Sequence, residues 1–451
     1  MMTGGCMLGP DFQRLSYQSA ARFRFDTAAL DTTVNLRWWE LFGDTVLDTL
    51  ILEALVNNPD VRVAAARVAA ARASLGYTEG IRWPEVHMSG MVSGTGLSGN
   101  TSSSFHLYPE FSWEIGFWGK YRRMNESARA DLLASEHAHR MVQLSLLTAV
   151  ATTYFTLLAA RDQLALTEHT LASRDSALLI MQDKYAGGMI SKMDLNQAKI
   201  QRDLAAAMVP YYRRLIALNE NALGVLLGRP PQSIPTGEPF YQHRYELDIP
   251  AGLPSQLLRR RPDILEAEAR YHARLAEVGV AEAMRWPSLS LTGLLGVASN
   301  DLTALSATGL SWSAGASLFS PLYQFGRNKR QVEMARAQAE AALASYEKNV
   351  LQAFREVEDA LINISTYRQE LKVQESRTRT AIESEKMAYV RYDEGSTTYL
   401  EVLEQQRQSF SAQLDVLFTR LNLLRSYIFL YKALGGGWLT PQEEGSSSPS
   451  G

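Results

Sequence analysis

The sequence predicts an α+β membrane protein made of two similar halves, each with one strand pair set among long helices. Three observations carry that reading. First, Arg82-Trp83-Pro84 recurs as Arg285-Trp286-Pro287, where 285 − 82 = 203, and Tyr185 and Gly188 recur as Tyr392 and Gly395, where 392 − 185 = 207. Pro59 with Pro262 and Gly90 with Gly293 keep the first spacing, and Leu227-Gly228 with Leu434-Gly435 keep the second. Similarity at a fixed spacing marks a duplicated unit. About four residues are therefore gained between the strands. Second, four short segments alternate apolar and polar residues. Third, two stretches of about 65 residues hold no proline and little glycine, enough for helices of roughly 100 Å.

In chain order, residues 1–44 read as an N-terminal extended segment and collar. Gly4-Gly5-Cys6 puts small residues before the only cysteine, as at a lipoprotein processing site, so Cys6 is expected to carry a covalent lipid. Only Met1, Met2 and Thr3 stand before it, where an apolar signal core would lie. Residues 45–83 and 254–286 are shorter helices, and the strand pairs 84–118 and 287–322 follow them. Phe105, Leu107, Pro109, Phe111, Trp113, Ile115 and Phe117 alternate with His106, Tyr108, Glu110, Ser112, Glu114 and Gly116, giving one apolar and one polar face. Val86, Met88 and Val92, then Leu289, Leu291 and Val297, then Leu310, Trp312 and Leu318 continue the pattern in the other strands. Each runs ~10 residues, the length of a tilted bilayer-crossing strand.

Residues 119–228 and 326–434 read as long helical hairpins. In the second return helix Phe410, Leu414, Leu417, Leu421, Leu424, Ile428 and Tyr431 step by four and three, a coiled-coil seam. Val209, Tyr212, Ile216, Leu223 and Leu226 trace a weaker seam in the first, where Pro210 should kink the helix. An equatorial linker spans 229–253, and 435–451 is a flexible tail.

An antiparallel sheet over a soluble core would show the same alternation. Here the flanking segments are too long and polar to cover four strands, and Trp83, Trp118, Trp286 and Tyr323 cluster near strand ends, as at a membrane interface. Unpaired strand edges cost several kcal/mol per group in hydrocarbon, so a four-stranded chain must close a barrel with copies of itself. Two copies give eight strands and three give twelve. Glu110, Glu114, Ser311 and Ser313 make sense facing water, and a water-filled lumen favours the trimer.

With 45 basic and 48 acidic residues and a formal charge of −3, no nucleic-acid partner is expected. No window holds about 18 consecutive apolar residues, so any membrane crossing is expected to be β-structure. His137 and His139 lie two apart rather than at the i, i+4 spacing of a helical zinc site, and no phosphate-binding loop or nucleophile elbow occurs. No catalysis, metal or soluble cofactor is expected.

Three runs carry a resemblance that covers nearly the whole chain: Cys6 to Phe12 (CMLGPDF), Trp38 to Asp44 (WWELFGD) and Leu253 to Ile264 (LPSQLLRRRPDI). The chain resembles the TolC/NodT-type outer-membrane efflux channels, especially the lipoprotein branch serving resistance-nodulation-division pumps. The resemblance implies a homotrimer with a twelve-stranded barrel in the outer membrane and a long α-helical barrel in the periplasm. It further implies a periplasmic adaptor and an inner-membrane pump as partners, and passive export of drugs or other small molecules through a tip that opens like an iris. By position, the gate falls on Leu400, Glu401 and Glu404, with Asp194 matching Glu401 because 401 − 194 = 207. The turns at Tyr185, Gly187 and Gly188 and at Tyr392 and Gly395 would meet the adaptor. A basic partner found in some relatives falls near Thr397, so that lock is not expected here.

Three copies of each glutamate would form a ring that attracts cations and raises some carboxyl pKa values. Read without the resemblance, Glu401 and Glu404 are solvated charges on a helix tip. A polypeptide-secretion duct of the same fold is the alternative function; the N-terminus and the Arg259 to Ile264 run disfavour it. A soluble coiled-coil scaffold would leave the strands unexplained.

Overall fold

The computed structural model describes residues 7–14, 23–25, 38–97, 100–242, 254–305 and 309–436. Cys6, linker residues 243–253 and the tail from 437 lie outside the described residues. The elements are α1 (Thr45–Asn57), α2 (Pro59–Gly80), β1 (Glu85–Leu97), β2 (Asn100–Ile115), α3 (Lys120–Ala186) and α4 (Lys192–Leu226) in the first half. The second half holds α5 (Pro254–Arg260), α6 (Pro262–Ala283), β3 (Ser288–Ser299), β4 (Ser311–Phe319), α7 (Arg327–Asp393) and α8 (Tyr399–Ala433). The duplication holds to the residue: α2 and α6 have 22 residues each, α3 and α7 have 67, and α4 and α8 have 35.

Helix ends repeat as well. Met189 N–H donates to Lys184 O at 2.9 Å and Gly188 N–H to Tyr185 O at 2.9 Å, and their counterparts Ser396 and Gly395 donate to Arg391 O at 2.8 Å and Tyr392 O at 2.9 Å. This is the Schellman termination, which needs a left-handed residue. Gly188 (φ 70) and Gly395 (φ 73) supply it without a Cβ penalty. Gly228 and Gly435 end α4 and α8 in the same way.

The chain divides into two compact units. The first comprises 1–17, 64–139 and 263–349 and contains the sheet, which is antiparallel in the order β1-β2-β3-β4. Glu85 faces Ser112 and Ser288 faces Phe319; since 288 − 85 = 203 and 319 − 112 = 207, the whole four-residue gain lies in the β3–β4 hairpin. The β2–β3 ladder skips Tyr108 and Pro109 and resumes at Glu110. Proline has no N–H to give there. A Cβ on Gly296 would sit 2.4 Å from Leu107 O, so glycine permits the close approach.

The apolar face of this sheet has no core against it. Val86, Met88, Val92, Trp312 and Leu318 are each about 70% exposed, and β4 is exposed at every position. Below the strands, Trp118 donates to Pro287 O at 2.8 Å and stacks near Trp286 at 4.8 Å. The N-terminal segment is clamped there by Arg123, only 1% exposed, which donates to Leu8 O (3.0 Å), Gly9 O (3.1 Å), Asp11 (2.7 Å) and Glu126 (2.8 Å). Gly9 (φ 89) lies so close to Gly279 that a Cβ would be 2.4 Å from its Cα.

The second unit comprises 18–63, 140–262 and 350–451. The WWELFGD run forms a 3-10 turn (Trp38–Phe42) followed by Asp44, which caps α1 by accepting from Val46 N (2.8 Å) and Leu47 N (3.1 Å). The same carboxylate accepts from the Tyr154 hydroxyl at 2.6 Å, and Trp38 stacks on Tyr431 at 5.2 Å. Burial and the Asp44 carboxylate push the Tyr154 phenol above the usual tyrosine range. The conserved geometry of the two halves reaches single bonds: Asn58 donates to Leu226 O at 2.9 Å, and Arg261, at 58 + 203, donates to Ala433 O at 3.0 Å, at 226 + 207. Each thereby satisfies a carbonyl in the last turn of a return helix.

One 18-residue window of α3 reaches a mean hydropathy of 1.5 without being an unbroken apolar run. Within α3, Leu144, Leu147, Val150, Tyr154 and Phe155 are fully buried among neighbouring helices, which accounts for that composition by core packing. α4 runs as one helix with Pro210 inside it, and Pro210 is exposed.

Candidate functional site: the paired helix turns

The two glycine turns share one small core. Met181, Ala198, Ala388, Tyr399, Val402 and Leu403 are buried together, with Ile190, Leu195, Tyr389 and Tyr392 packed against them. Residues from α3, α4, α7 and α8 all contribute. Lys184 donates to the Tyr392 hydroxyl at 2.8 Å and lies 4.6 Å from that ring's centre, tying the end of α3 to the end of α7. Tyr392 and Tyr399 stand 5.2 Å apart. Burial pushes the Tyr399 phenol well above its usual range, and its hydroxyl has no hydrogen-bond partner among the described residues. Tyr185, Gly187, Gly188 and Gly395 are exposed at the turns, and Lys192 lies over the Tyr185 ring at 5.0 Å.

The four gate candidates lie near the starts of α4 and α8, Asp194, Leu400 and Glu401 in the first turn and Glu404 in the second, in unequal circumstances. Asp194 closes a capping box: its carboxylate accepts from Ser191 N (3.1 Å) and Ser191 Oγ (2.7 Å), and its own N–H donates to Ser191 Oγ (3.2 Å). The matched pair in the second half, Thr398 and Glu401, has the same S/T-x-x-E pattern, yet Thr398 makes no side-chain cap bond. Glu401 is turned away instead, accepting from Arg391 at 2.8 Å and from the Thr397 hydroxyl. Leu400 beside it is 38% exposed.

Glu404 receives two bonds from Arg407, at 2.7 and 3.0 Å, and one from Gln408 at 2.8 Å. Those bonds hold its carboxyl down at about 2. Within one chain the arginine three residues on sets the direction of that shift. The partner of Glu401 is Arg391, on the other side of the turn in the last turn of α7. Arg407 was legible from its i, i+3 spacing; Arg391 had no such local pattern.

The two lumen candidates lie on β2. Ser89 donates to Glu110 at 3.4 Å across the β1–β2 pair, and Lys120 meets Glu114 at 3.0 Å where the strand gives way to α3. Among the described residues, no group of three or more His, Cys, Asp or Glu could hold a metal ion.

Residues 50–229 and 253–436 match the family described as outer membrane efflux protein, one match for each half of the duplication. The chain belongs to that family. The solvent efflux pump outer membrane protein SrpC of Pseudomonas putida is 35% identical over 462 residues, covering 98% of this chain and 97% of its own. The cation efflux system protein CusC of Escherichia coli K12 is 32% identical over 444 residues, covering 96% of each chain. Among solved structures, the open state of the Neisseria gonorrhoeae MtrE outer membrane channel superposes with a TM-score of 0.89 at 28% identity, covering 96% of this chain and 99% of that one. This efflux protein is therefore an outer-membrane channel component, and its fold of long helices with four strands per chain is the fold of those channels. The resemblance read from CMLGPDF, WWELFGD and LPSQLLRRRPDI agrees with this family.

Proposed function

We propose that three copies of this chain close a twelve-stranded barrel and a helical barrel beneath it, and that small molecules pass passively through both to the exterior. One observation carries the reading: among the described residues, a sheet with two free edges, β1 and β4, and an apolar face with nothing packed on it. Pairing β4 of one copy with β1 of the next removes both edges, as a bilayer requires. An inner-membrane pump supplies the energy and a periplasmic adaptor engages the turns at Tyr185, Gly187, Gly188, Tyr392 and Gly395. Relatives named as parts of solvent and cation efflux systems support a pump-coupled role rather than polypeptide secretion.

In this proposal Leu400, Glu401, Glu404 and Asp194 narrow the periplasmic end, with Glu110 and Glu114 facing the lumen. The tip opens as the hairpins untwist. Arg391 and Arg407 partly neutralise Glu401 and Glu404, so the ring is weaker than three free acids per chain would make it. A lipid on Cys6 is supported by the next residue in the chain. A side chain on Gly119 (φ 78) would strike Met7, and Leu8 N–H donates to Trp118 O at 3.3 Å, which holds the N-terminal segment at the foot of the strands.

The test is native mass in mild detergent, corrected for bound detergent, followed by planar-bilayer recording. Three copies with cation-preferring pores, and reduced preference in the Glu401→Gln/Glu404→Gln variant, are expected. A detergent-independent soluble monomer would overturn the barrel and the gate together.

A further inference from the structure

At the foot of the first strand pair, a cavity of about 390 Å3 is lined by Arg82, Arg122, Arg129 and Asn125. Arg82 directly precedes Trp83-Pro84 and β1, and Arg122 is the third residue of α3, so the cavity sits where strand gives way to helix. Its charge is unbalanced. Neither the Arg82 nor the Arg122 guanidinium has a hydrogen bond or ion pair among the described residues, and Arg129 reaches Glu79 only at 3.9 Å. The one carboxylate on the wall, Glu126, is already taken by Arg123 at 2.8 Å and by His272 at 2.9 Å.

Asn125 adds a second, independent demand. It is 8% exposed, and its Oδ1 has no hydrogen-bond partner. A buried acceptor left unpaired in a folded protein calls for a donor. The remaining wall is the apolar pair Ala130 and Leu133 together with His272, whose ring is engaged by Glu126. The occupant must therefore offer an anionic group with oxygens suited to guanidinium forks, an N–H or O–H donor close to it, and a hydrocarbon portion.

We infer that this cavity binds the headgroup of a phospholipid from the periplasmic leaflet: a phosphodiester on the arginines, with its ethanolamine ammonium or glycerol hydroxyl donating to Asn125. The inference rests on the membrane placement proposed above, which puts the exposed indole of Trp83 at the bilayer boundary on the helix side. The duplication supplies an internal control. The counterparts of Arg82, Arg122 and Arg129 are Arg285, Lys329 and Arg336, all basic, but Arg336 is held by Glu282 at 2.7 Å, where Arg129 has only the 3.9 Å approach to Glu79. The counterpart of Asn125 is Val332, which is buried in an apolar cluster. Only the first copy of the pattern is built to take a ligand.

The experiment uses the intact, delipidated protein in detergent, with phosphatidylethanolamine, phosphatidylglycerol, phosphatidylcholine and inorganic phosphate as separate probes, read by native mass spectrometry. Wild type should retain the first two lipids; Arg82→Ala/Arg122→Ala should lower retention roughly tenfold or more. Asn125→Leu should erase the preference for phosphatidylethanolamine over phosphatidylcholine, whose quaternary ammonium has no N–H. Arg285→Ala/Lys329→Ala should change neither. Equal retention by wild type and the Arg82→Ala/Arg122→Ala variant overturns the inference, as does displacement of lipid by equimolar inorganic phosphate. Dissociation of that variant into single chains also overturns it, by assigning the arginines to a contact between copies. Conductance of the same preparations separates the two readings: pores that persist without bound lipid leave the channel proposal intact, whereas wild type without pores removes it.

Discussion

Matched substitutions at the two helix starts give a test in which the protein serves as its own control. Ser191→Ala removes the acceptor for the Asp194 N–H (3.2 Å) and the donor to its carboxylate (2.7 Å), leaving only the bond from Ser191 N (3.1 Å). Loss of such a cap costs about 1 kcal/mol, within a range of about 0.5 to 2. That corresponds to roughly fivefold in the local opening equilibrium. Thr398→Ala, at the equivalent position, removes no cap bond and should cost at most a few tenths of a kcal/mol. Amide hydrogen exchange of the intact protein, followed by peptide mass spectrometry, reads both. The first turn of α4 should exchange roughly fivefold faster in Ser191→Ala, and the first turn of α8 should be unchanged in Thr398→Ala. The diversion of Glu401 to Arg391 predicts a further, non-additive result. In an Arg391→Ala/Thr397→Val background Glu401 is free to complete its own box, so Thr398→Ala should then become costly, with a coupling of about 0.5 kcal/mol or more. Equal acceleration in the two single variants, or strict additivity with Arg391→Ala/Thr397→Val, refutes the asymmetry.

The remaining expectations concern the clamp, the sheet and the tip. Arg123→Ala leaves the Asp11 and Glu126 carboxylates and the Leu8 and Gly9 carbonyls without their guanidinium donor, at a cost of about 3 kcal/mol. Added protease should cut the N-terminal segment faster, and an unchanged cleavage rate would remove the clamp. Gly296→Val forces a Cβ within 2.4 Å of Leu107 O and should lower the yield of assembled channel in outer-membrane fractions, while Gly94→Ala, with nothing within 4 Å, should not. Glu404 has a depressed folded-state pKa, so its stabilising charge is fully present above 4.5 and is lost only as pH falls toward about 2. In a Glu401→Gln background, an NMR titration should show no Glu404 protonation between neutral pH and 4.5, and Arg407→Gln should move its midpoint upward. Arg391 and Glu401 are 54% and 37% exposed, so any slowing of tip opening by this pair should fade at high salt in bilayer recordings.

Much of this fold was legible because duplication and glycine placement are local signals. Gly188 and Gly395 announce their turns, proline-free runs announce α3 and α7, and period-2 alternation announces the strands. What escaped depends on partners distant in sequence or on competition between them. Arg123 meets Leu8 and Asp11 across more than a hundred residues, a contact no periodicity encodes. The hydropathy of α3 reflects burial around Tyr154, which can be told from a membrane span only when its neighbours are known. At the tip, the positions of Asp194 and Glu401 follow from the repeat, but their states do not: one sequence pattern yields a closed box in the first half and an arginine-held side chain in the second. The pairing of Arg391 with Glu401 crosses a turn, so a count taken only after the glycine missed it.

The four-residue difference between the halves lies wholly in the β3–β4 hairpin, while α3 and α7 match residue for residue. The strand hairpins differ in length between the halves, while the long helices do not. The helices thus act as a matched pair of rulers whose far ends must arrive together, because Met181 and Ala388 meet in the same small core. Shortening either one alone would pull its turn out of that core and rotate the face it shows. Removing two full turns from both, and from both return helices, would keep every face in register and yield a shorter pore with its end intact. An epitope grafted into the longer strand hairpin, by contrast, adds length where the two halves of this chain already differ.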